Sequence, residues 1–327
     1  MTGFPESQSQ EKTPDSGIKS KRVFVVLNPV AGTTDAENAK DLITQFCEKQ
    51  NWDCDIYETQ KNENIRKLIG DVLKKGVDMV IAAGGDGTVS EVVGGMIHSE
   101  VPLAILPAGT GNNLARDLSI PMDIKGALSL LGDEHVIQHM DVMEVNKNKY
   151  YVLNVSVGLT SQVMEKTKRQ EKRRFGFLAY LWHALESIVH TDTHTFKLAV
   201  DGKSLRVRAS ELMIANCKFM GFQPQLEGVE IDPADGCMDV FIVRSQTFRD
   251  YLDLAAAFVL RRKPEDDPTL RHLEARDMIR IQSESPLPAQ ADGEVFGSTP
   301  VEVRMIPDAL RVIAPQPAES VKQLENS

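Results

Sequence analysis

Residues 21–32 read KRVFVVLNPVAG: two basic residues, a β-branched apolar run, then a break at Pro29 and Gly32. That pattern predicts a buried strand running into a loop. A helix is expected from about Asp35 to Gln50, where Leu42, Ile43 and Phe46 recur at helical spacing. Cys54–Tyr57 follows as a short strand, and Asn64–Lys75 as a second helix with Ile65, Leu68, Ile69 and Val72 on one face. Val77–Ala83 is an apolar run that predicts a fully buried strand. Thr88–Ile97 reads as a helix with Val89, Val92, Val93 and Met96 inward, and Pro102–Leu106 as a fourth strand. Strands alternating with helices predict a mostly parallel sheet covered on both faces.

Past residue 140 the texture changes. Strand-like pieces crowd together at Asp141–Val145, Tyr150–Val157, Thr195–Val200, Leu205–Val207, Glu211–Ala215 and Asp239–Arg244, with turn signals such as Asp201-Gly202 between them. This predicts a mainly antiparallel β-sandwich domain. Two helical stretches interrupt it, Ser161–Val189 and Thr247–Leu260, and Val301–Ile313 holds two more strand-like runs. The expected organisation is a disordered tail over 1–20, an α/β domain over 21–140 and the β domain over 141–300. Terminal strands at 301–315 pack back on the first domain, and a polar tail occupies 316–327.

Composition narrows the function. The chain has 327 residues, 42% of them hydrophobic and 26% charged, the balance of a soluble globular protein. Its longest apolar runs, at Val77–Ala83 and around Phe177–Leu185, fall far short of a membrane span. The polar start, with Pro5 and Pro14, lacks the basic-then-apolar order of a secretory signal. Cys47, Cys54, Cys217 and Cys237 show no CxxC spacing, so reduced thiols in a cytoplasmic protein are expected. A net charge of −10 argues against nucleic acid as a partner.

Three glycine-bearing loops carry the chemistry. Ala83-Gly84-Gly85-Asp86-Gly87-Thr88 joins a buried strand to a helix, where glycines permit positive φ and let a ligand approach the backbone. The start of that helix favours phosphate oxygens through its unpaired N–H groups and dipole. The spacing matches neither GxxxxGK[ST] nor GxGxxG. Taken alone, the loop is equally a tight turn capped by Asp86. It is joined by Leu106-Pro107-Ala108-Gly109-Thr110-Gly111-Asn112-Asn113 and by Asn28-Pro29-Val30-Ala31-Gly32, each following an apolar strand. Ligands of open parallel sheets bind outside such strand ends, so the three together predict a phosphate-bearing ligand.

The order NPVAG, GGDGTVSEVV, LPAGTGNNLARDL and then Gln290-Ala291-Asp292-Gly293-Glu294 resembles the diacylglycerol kinase catalytic family, which includes bacterial lipid kinases and the sphingosine and ceramide kinases. The likeness covers about residues 22–315. It implies an NAD kinase- or phosphofructokinase-like first domain and ATP-dependent phosphorylation of a lipid alcohol, diacylglycerol to phosphatidate first. It places ATP against Asn28, Pro29, Val30, Ala31 and Gly32, against Gly84, Gly85, Asp86, Gly87, Thr88, Val89 and Ser90, and against Thr59 and Thr110. It makes Glu294 the general base, with Asp86 as the competing base or an indirect anchor for Mg²⁺. It also implies a structural Mg²⁺ in the loop GVEIDPADGCMD, held by the Asp235 side chain and by carbonyls of Asp232 and Cys237. Carboxylates and carbonyls suit a hard cation, although on composition alone the loop reads sooner as a hydrated acidic turn than as a metal site. Two departures from the family pattern stand out: this loop is short before Asp-Gly, and Asn113 stands where many members carry Asp.

Lys166–Arg174, KTKRQEKRR, carries six positive charges against Glu171, with Phe175, Phe177, Tyr180 and Trp182 close behind. That composition fits reversible contact with a membrane surface, or a solvated loop before a buried helix. The expected protein is therefore cytoplasmic and peripheral to the membrane, its oligomeric state open, a dimer included. The competing readings are a soluble small-molecule kinase of the NAD kinase type, disfavoured by NPVAG and the late Asp-Gly-Glu, and a non-catalytic nucleotide-binding regulator.

Overall fold

The structure, a computed structural model, describes residues 20–29, 34–61, 63–132, 135–159, 161, 193–218, 228–245, 247, 249, 250, 253, 256, 263 and 267–316. Val30–Gly32, the basic stretch 166–174, nearly all of both interrupting helices and both tails (Ser20 and Gln316 apart) lie outside them. The first half runs β1 (Arg22–Leu27), α1 (Thr34–Gln50), β2 (Asp53–Glu58), α2 (Ile65–Lys75), β3 (Met79–Gly84), α3 (Asp86–Met96), β4 (Leu103–Pro107), α4 (Asn113–Asp117) and α5 (Ile124–Gly132). The second half is β5 (His135–Val145), β6 (Lys149–Tyr151), β7 (Asn154–Gly158), β8 (His194–Val200), β9 (Lys203–Ala209), β10 (Glu211–Ala215) and β11 (Met238–Val243). It continues with β12 (Leu270–Ala275), β13 (Met278–Ser283), β14 (Pro288–Ala291), β15 (Glu294–Ser298) and β16 (Val301–Pro315).

β2, β1, β3 and β4 pair in parallel in that order. β3 and β4 are buried at every position, which explains their unbroken apolar sequences. Each fully buried Val, Ile or Leu there contributes roughly 1.5–3 kcal/mol relative to exposure. The sheet does not stop at β4. β16 pairs with β4 in parallel at Val312–Leu103 and continues antiparallel through β13, β8 and β9, giving ten strands with β5 and β6. A second sheet of six strands, β12-β11-β10-β7-β14-β15, is antiparallel throughout. Val155, Val157, Leu212 and Ile214 of this sheet pack against Phe196, Leu198, Ile279 and Val303 of the first, forming the sandwich core.

β16 and β5 thread both cores. Val301 and Val303 of β16 lie in the sandwich, whereas Leu310, Val312 and Ile313 lie in the α/β core. The 301–313 region is one strand rather than two runs: a register shift between Ile306 and Leu310 against β5 absorbs the break at Pro307-Asp308. The strand expected over Tyr150–Val157 is instead two, β6 and β7, with Val152 and Leu153 between them. Helix α3 begins at Asp86, two residues before the expected start.

The cysteine expectation is corrected. Cys47 on α1 and Cys54 on β2 form a disulfide, their Cα atoms 6.3 Å apart. The turn between them, with Asn51 at φ 55°, folds β2 back beside the helix, a proximity that CxxC spacing does not register. Cys217 and Cys237 are free and buried, and burial pushes both thiols up, Cys237 to about 11, so neither is a nucleophile at neutral pH. Among the described residues no helix is long and apolar enough to cross a membrane.

Candidate active site

The carboxyl ends of β1, β3 and β4 lie side by side, so the first described residues that leave them meet. Asn28 donates its backbone N–H to the Ala83 carbonyl at 2.9 Å and its Nδ2 to Thr88 Oγ1 at 3.1 Å, tying the first loop to the start of α3. Thr59 donates its N–H to the Leu27 carbonyl at 2.8 Å, which places it at the same edge. Pro29 is exposed beside them. Ala108 donates to the Gly84 carbonyl at 3.0 Å, and a Cβ on Gly109 would lie 2.5 Å from the Gly85 Cα. Gly84, Gly85 and Gly87 have no positive φ. Close approach is therefore what these positions require, in place of the conformational freedom the sequence suggested.

Thr88 and Val89 are buried, so Val89 can meet a ligand only through its backbone. Ser90 donates Oγ to the Tyr150 carbonyl at 3.5 Å. Thr110 is exposed between Gly109 and Gly111. Asn112 adopts the left-handed conformation at φ 51° and bridges Gly109, accepting its N–H at 2.9 Å and donating Nδ2 to its carbonyl at 2.7 Å.

Asp86 does not cap its own helix. Its Oδ1 accepts the Asn113 N–H at 2.6 Å and its Oδ2 accepts Asn113 Nδ2 at 3.5 Å, so the carboxylate clasps the second glycine loop. Desolvation raises its pKa, while backbone N–H groups of Asn113, Asn112 and Leu114 oppose the shift. An aspartate at 113 would set two carboxylates against each other, which the amide avoids.

The Asp-Gly-Glu segment arrives from the other sheet. Asp292 at φ 46° and Gly293 at φ 83° form the two-residue turn of the β14–β15 hairpin, in which Ala291 pairs with Glu294. Glu294 is the first residue of β15 and is exposed, and its Oε1 lies 3.4 Å from where a Cβ on Gly87 would stand. The general-base candidate thus faces the first turn of α3.

Sequence reasoning passed over Asp292. Its two oxygens accept the backbone N–H groups of Val152, Leu153 and Asn154 at 3.0–3.1 Å. Although part of its surface reaches solvent, desolvation pushes its pKa up to about 6 against those three donors, with the Asp86 charge adding to the rise. Gln290 supports the same turn, accepting the Gly293 N–H at 3.1 Å and donating to Ser156 Oγ at 2.6 Å and Asn154 Oδ1 at 3.2 Å. The signal available in the sequence was Asp-Gly itself, the strongest short hairpin cue.

A carboxyl whose folded pKa is raised favours the folded state while it is protonated. That contribution is full below the unfolded value near 4 and is lost as pH rises to about 6. Asp292→Asn removes it. Between pH 4 and pH 7 the parent should therefore lose on the order of 2 kcal/mol of stability relative to the variant. Parallel denaturation curves at both pH values measure the difference; curves that keep a constant separation would refute it.

In the acidic loop, Asp235 Oδ1 accepts the Cys237 N–H at 2.8 Å and Asp232 Oδ1 accepts the Ala234 N–H at 3.0 Å. Asp141 holds the turn from β5, accepting the Gly236 N–H at 2.6 Å. Desolvation, then the charges of Asp232 and Asp239, raise the pKa of Asp235. Among the described residues no three His, Cys, Asp or Glu side chains gather as a metal site. Cys237 turns its buried sulfur towards the Met238 carbonyl at 3.9 Å, so only its carbonyl is on offer. One carboxylate crowded by others, together with backbone carbonyls, is an oxygen donor set that fits a hard cation.

Fold and site together define a kinase-type α/β domain joined to a β-sandwich whose Glu294 carboxylate approaches the start of α3. The chain belongs to the diacylglycerol kinase catalytic-domain family: residues 22–145 match "Diacylglycerol kinase catalytic domain" and residues 153–314 match "YegS C-terminal NAD kinase beta sandwich-like domain". A Staphylococcus haemolyticus protein named "Putative lipid kinase" is 30% identical over 74% of this chain and 79% of its own length. An uncharacterized Synechocystis protein is 27% identical over 91% of this chain and 71% of its own. Among solved structures, a diacylglycerol kinase from Bacillus anthracis superposes with a TM-score of 0.74 at 25% identity, covering 91% of this chain and 98% of that one.

Proposed function

We propose that the chain transfers the γ-phosphoryl group of ATP to the hydroxyl of a lipid alcohol, diacylglycerol first, giving ADP and a lipid phosphate such as phosphatidate. The observation that carries this reading is the approach of Glu294 to Gly87, which sets a carboxylate against the phosphate-favouring start of α3. The N–H groups of that first turn and the loops at Asn28 and Gly109–Asn112 hold the phosphates. Glu294 takes the proton of the acceptor hydroxyl as its oxygen attacks the γ-phosphorus and the bond to ADP breaks. Asp86 keeps the second glycine loop closed on the first. Mg²⁺ bound with the nucleotide supplies charge neutralisation. A screen with radiolabelled ATP over extracted lipids, with NAD as control and with vesicles of varied anionic content, tests the reading. It predicts a labelled lipid phosphate, more of it on anionic vesicles if the 166–174 stretch docks there. Labelled NADP alone would transfer the assignment to the soluble small-molecule class.

In this reading the Asp235 carboxylate and the Asp232 and Cys237 carbonyls would hold a second Mg²⁺, whose charge would tie the acidic loop together. Magnesium should then raise the melting temperature of the parent but not of Asp235→Ala, because a ligand bound only by the native state stabilises it. An equal rise in both proteins would leave the loop an ordinary acidic turn.

A further inference from the structure

Glu294 is bracketed by two anchors. Two residues before it, Asp292 is bound by the N–H groups of Val152, Leu153 and Asn154. Two residues after it, the Phe296 carbonyl accepts Lys149 Nζ at 3.0 Å, and the same ammonium lies 5.4 Å from the Phe296 ring centre. The Phe296 ring in turn packs against Tyr151 at 5.8 Å. All these partners come from one short stretch, residues 149–154, comprising β6, its link to β7 and the first residue of β7.

The other side of β6 is fixed to the phosphate helix and its neighbour. The Arg66 guanidinium lies 4.8 Å from the Tyr150 ring centre, and Arg66 donates to the Asn148 carbonyl. Ser90 of α3 donates to the Tyr150 carbonyl, and Tyr150 donates its hydroxyl to Glu144 at 3.3 Å. Gly94 makes room for this arrangement: a Cβ there would stand 2.7 Å from Arg66 Nε. β6 therefore touches α3 on one side and the Glu294 hairpin on the other.

We propose that β6 is a strut that sets the distance between Glu294 and the start of α3, and that Lys149 and Arg66 are positioning residues for the transfer step. The proposal rests on the reading of Glu294 as base. Glu294 opens β15, which among the described residues is the edge strand of its sheet and pairs with β14. A shift of about 1 Å in a reacting group can cost a hundredfold in rate. A cation that binds the carbonyl two residues along, on the same side of the strand, limits that shift without touching the nucleotide.

The test is Lys149→Met and, separately, Arg66→Met, with Lys149→Arg as the conservative variant. Both methionine variants should lower kcat by about tenfold or more with the KM for ATP within about twofold of the parent, and Lys149→Arg should recover most of the rate. Hydrogen exchange supplies a readout independent of activity: amides of 294–298 should exchange faster in Lys149→Met, while those of β1 keep their protection. Unchanged exchange in 294–298 would overturn the strut. Faster exchange with unchanged kcat would overturn its positioning role, as would a lost rate that Lys149→Arg fails to restore. A parent inactive on every lipid alcohol, or a Glu294→Gln variant with full turnover, would instead overturn the reading of Glu294 and leave the exchange result standing.

Discussion

Glu294→Gln is expected to lower kcat by a factor of about 10² or more while leaving ATP affinity close to that of the parent. Glutamine has the size of glutamate and can keep a hydrogen bond, but it cannot take the hydroxyl proton. The nucleotide contacts assigned above come from loops and helix α3, so binding should survive the change. Removing a carboxylate that approaches Gly87 also removes repulsion towards a triphosphate, so any change in ATP affinity should be a gain. Asp86 provides the contrast. Its carboxylate clasps Asn113, and Asp86→Asn should loosen the second glycine loop and raise the KM for ATP before it affects the chemical step. Single-turnover kinetics of both variants separate the roles. Normal turnover in Glu294→Gln would move the base to Asp86.

The first half of the fold was legible because its signals are local. Met79–Gly84 and Leu103–Pro107 are apolar throughout because both faces of a parallel strand are covered, and α2 shows its buried face as Ile65, Ile69 and Val72. The second half was read less completely. β12 to β15 escaped notice because none carries a long apolar run: Met278–Ser283 buries only Ile279 and Ile281 between polar residues, Pro288–Ala291 is four residues long, and Glu294–Ser298 buries none of its residues. The Asp292-Gly293 turn has the same form as Asp201-Gly202, at φ 45° and 80°, which was read as a turn. The long strand β16 was split by Pro307-Asp308, where the chain bulges and goes on pairing.

The site divides along the same line. That three glycine loops leave neighbouring strand ends follows from the order of apolar runs, and the structure brings the loops after β3 and β4 together and ties Asn28 to the start of α3. What individual residues do within the loops depends on partners far away in sequence. Asp86 reads as a cap or a base, but its partner is 27 residues on, at Asn113. Asp292 is bonded to backbone groups 138 to 140 residues earlier, and no spacing rule reaches that far. The cysteine pair shows the limit from the opposite side. Cys47 and Cys54 are only 7 apart, yet their meeting depends on how the chain turns between a helix and a strand.

The largest effect on nucleotide binding is expected at the contact between the two glycine loops. Gly85 has φ −92° and ψ −175°, extended backbone that any residue adopts, so only space restricts it. A Cβ on Gly85 would stand 3.3 Å from the Gly109 Cα, and a Cβ on Gly109 only 2.5 Å from the Gly85 Cα. The first contact is tight; the second is an overlap with backbone, which has no rotamer to escape into. Gly109→Ala must therefore part the loops, straining the Ala108–Gly84 hydrogen bond between the strand ends and the clasp of Asp86 on Asn113. Gly85→Val adds two branches where the nucleotide phosphates are to approach, and its methyl groups reach beyond the point at which Cβ is already close. Both variants should weaken ATP binding by about a hundredfold or more, a loss of about 2.7 kcal/mol. Their stabilities should differ: Gly109→Ala should also melt at a lower temperature, by several degrees, whereas Gly85→Val should lose mainly affinity. Isothermal titration of ATP into each folded variant, beside its thermal melt, measures both quantities. Parent-like affinity in folded Gly85→Val would show that ATP lies elsewhere than along Gly84–Thr88.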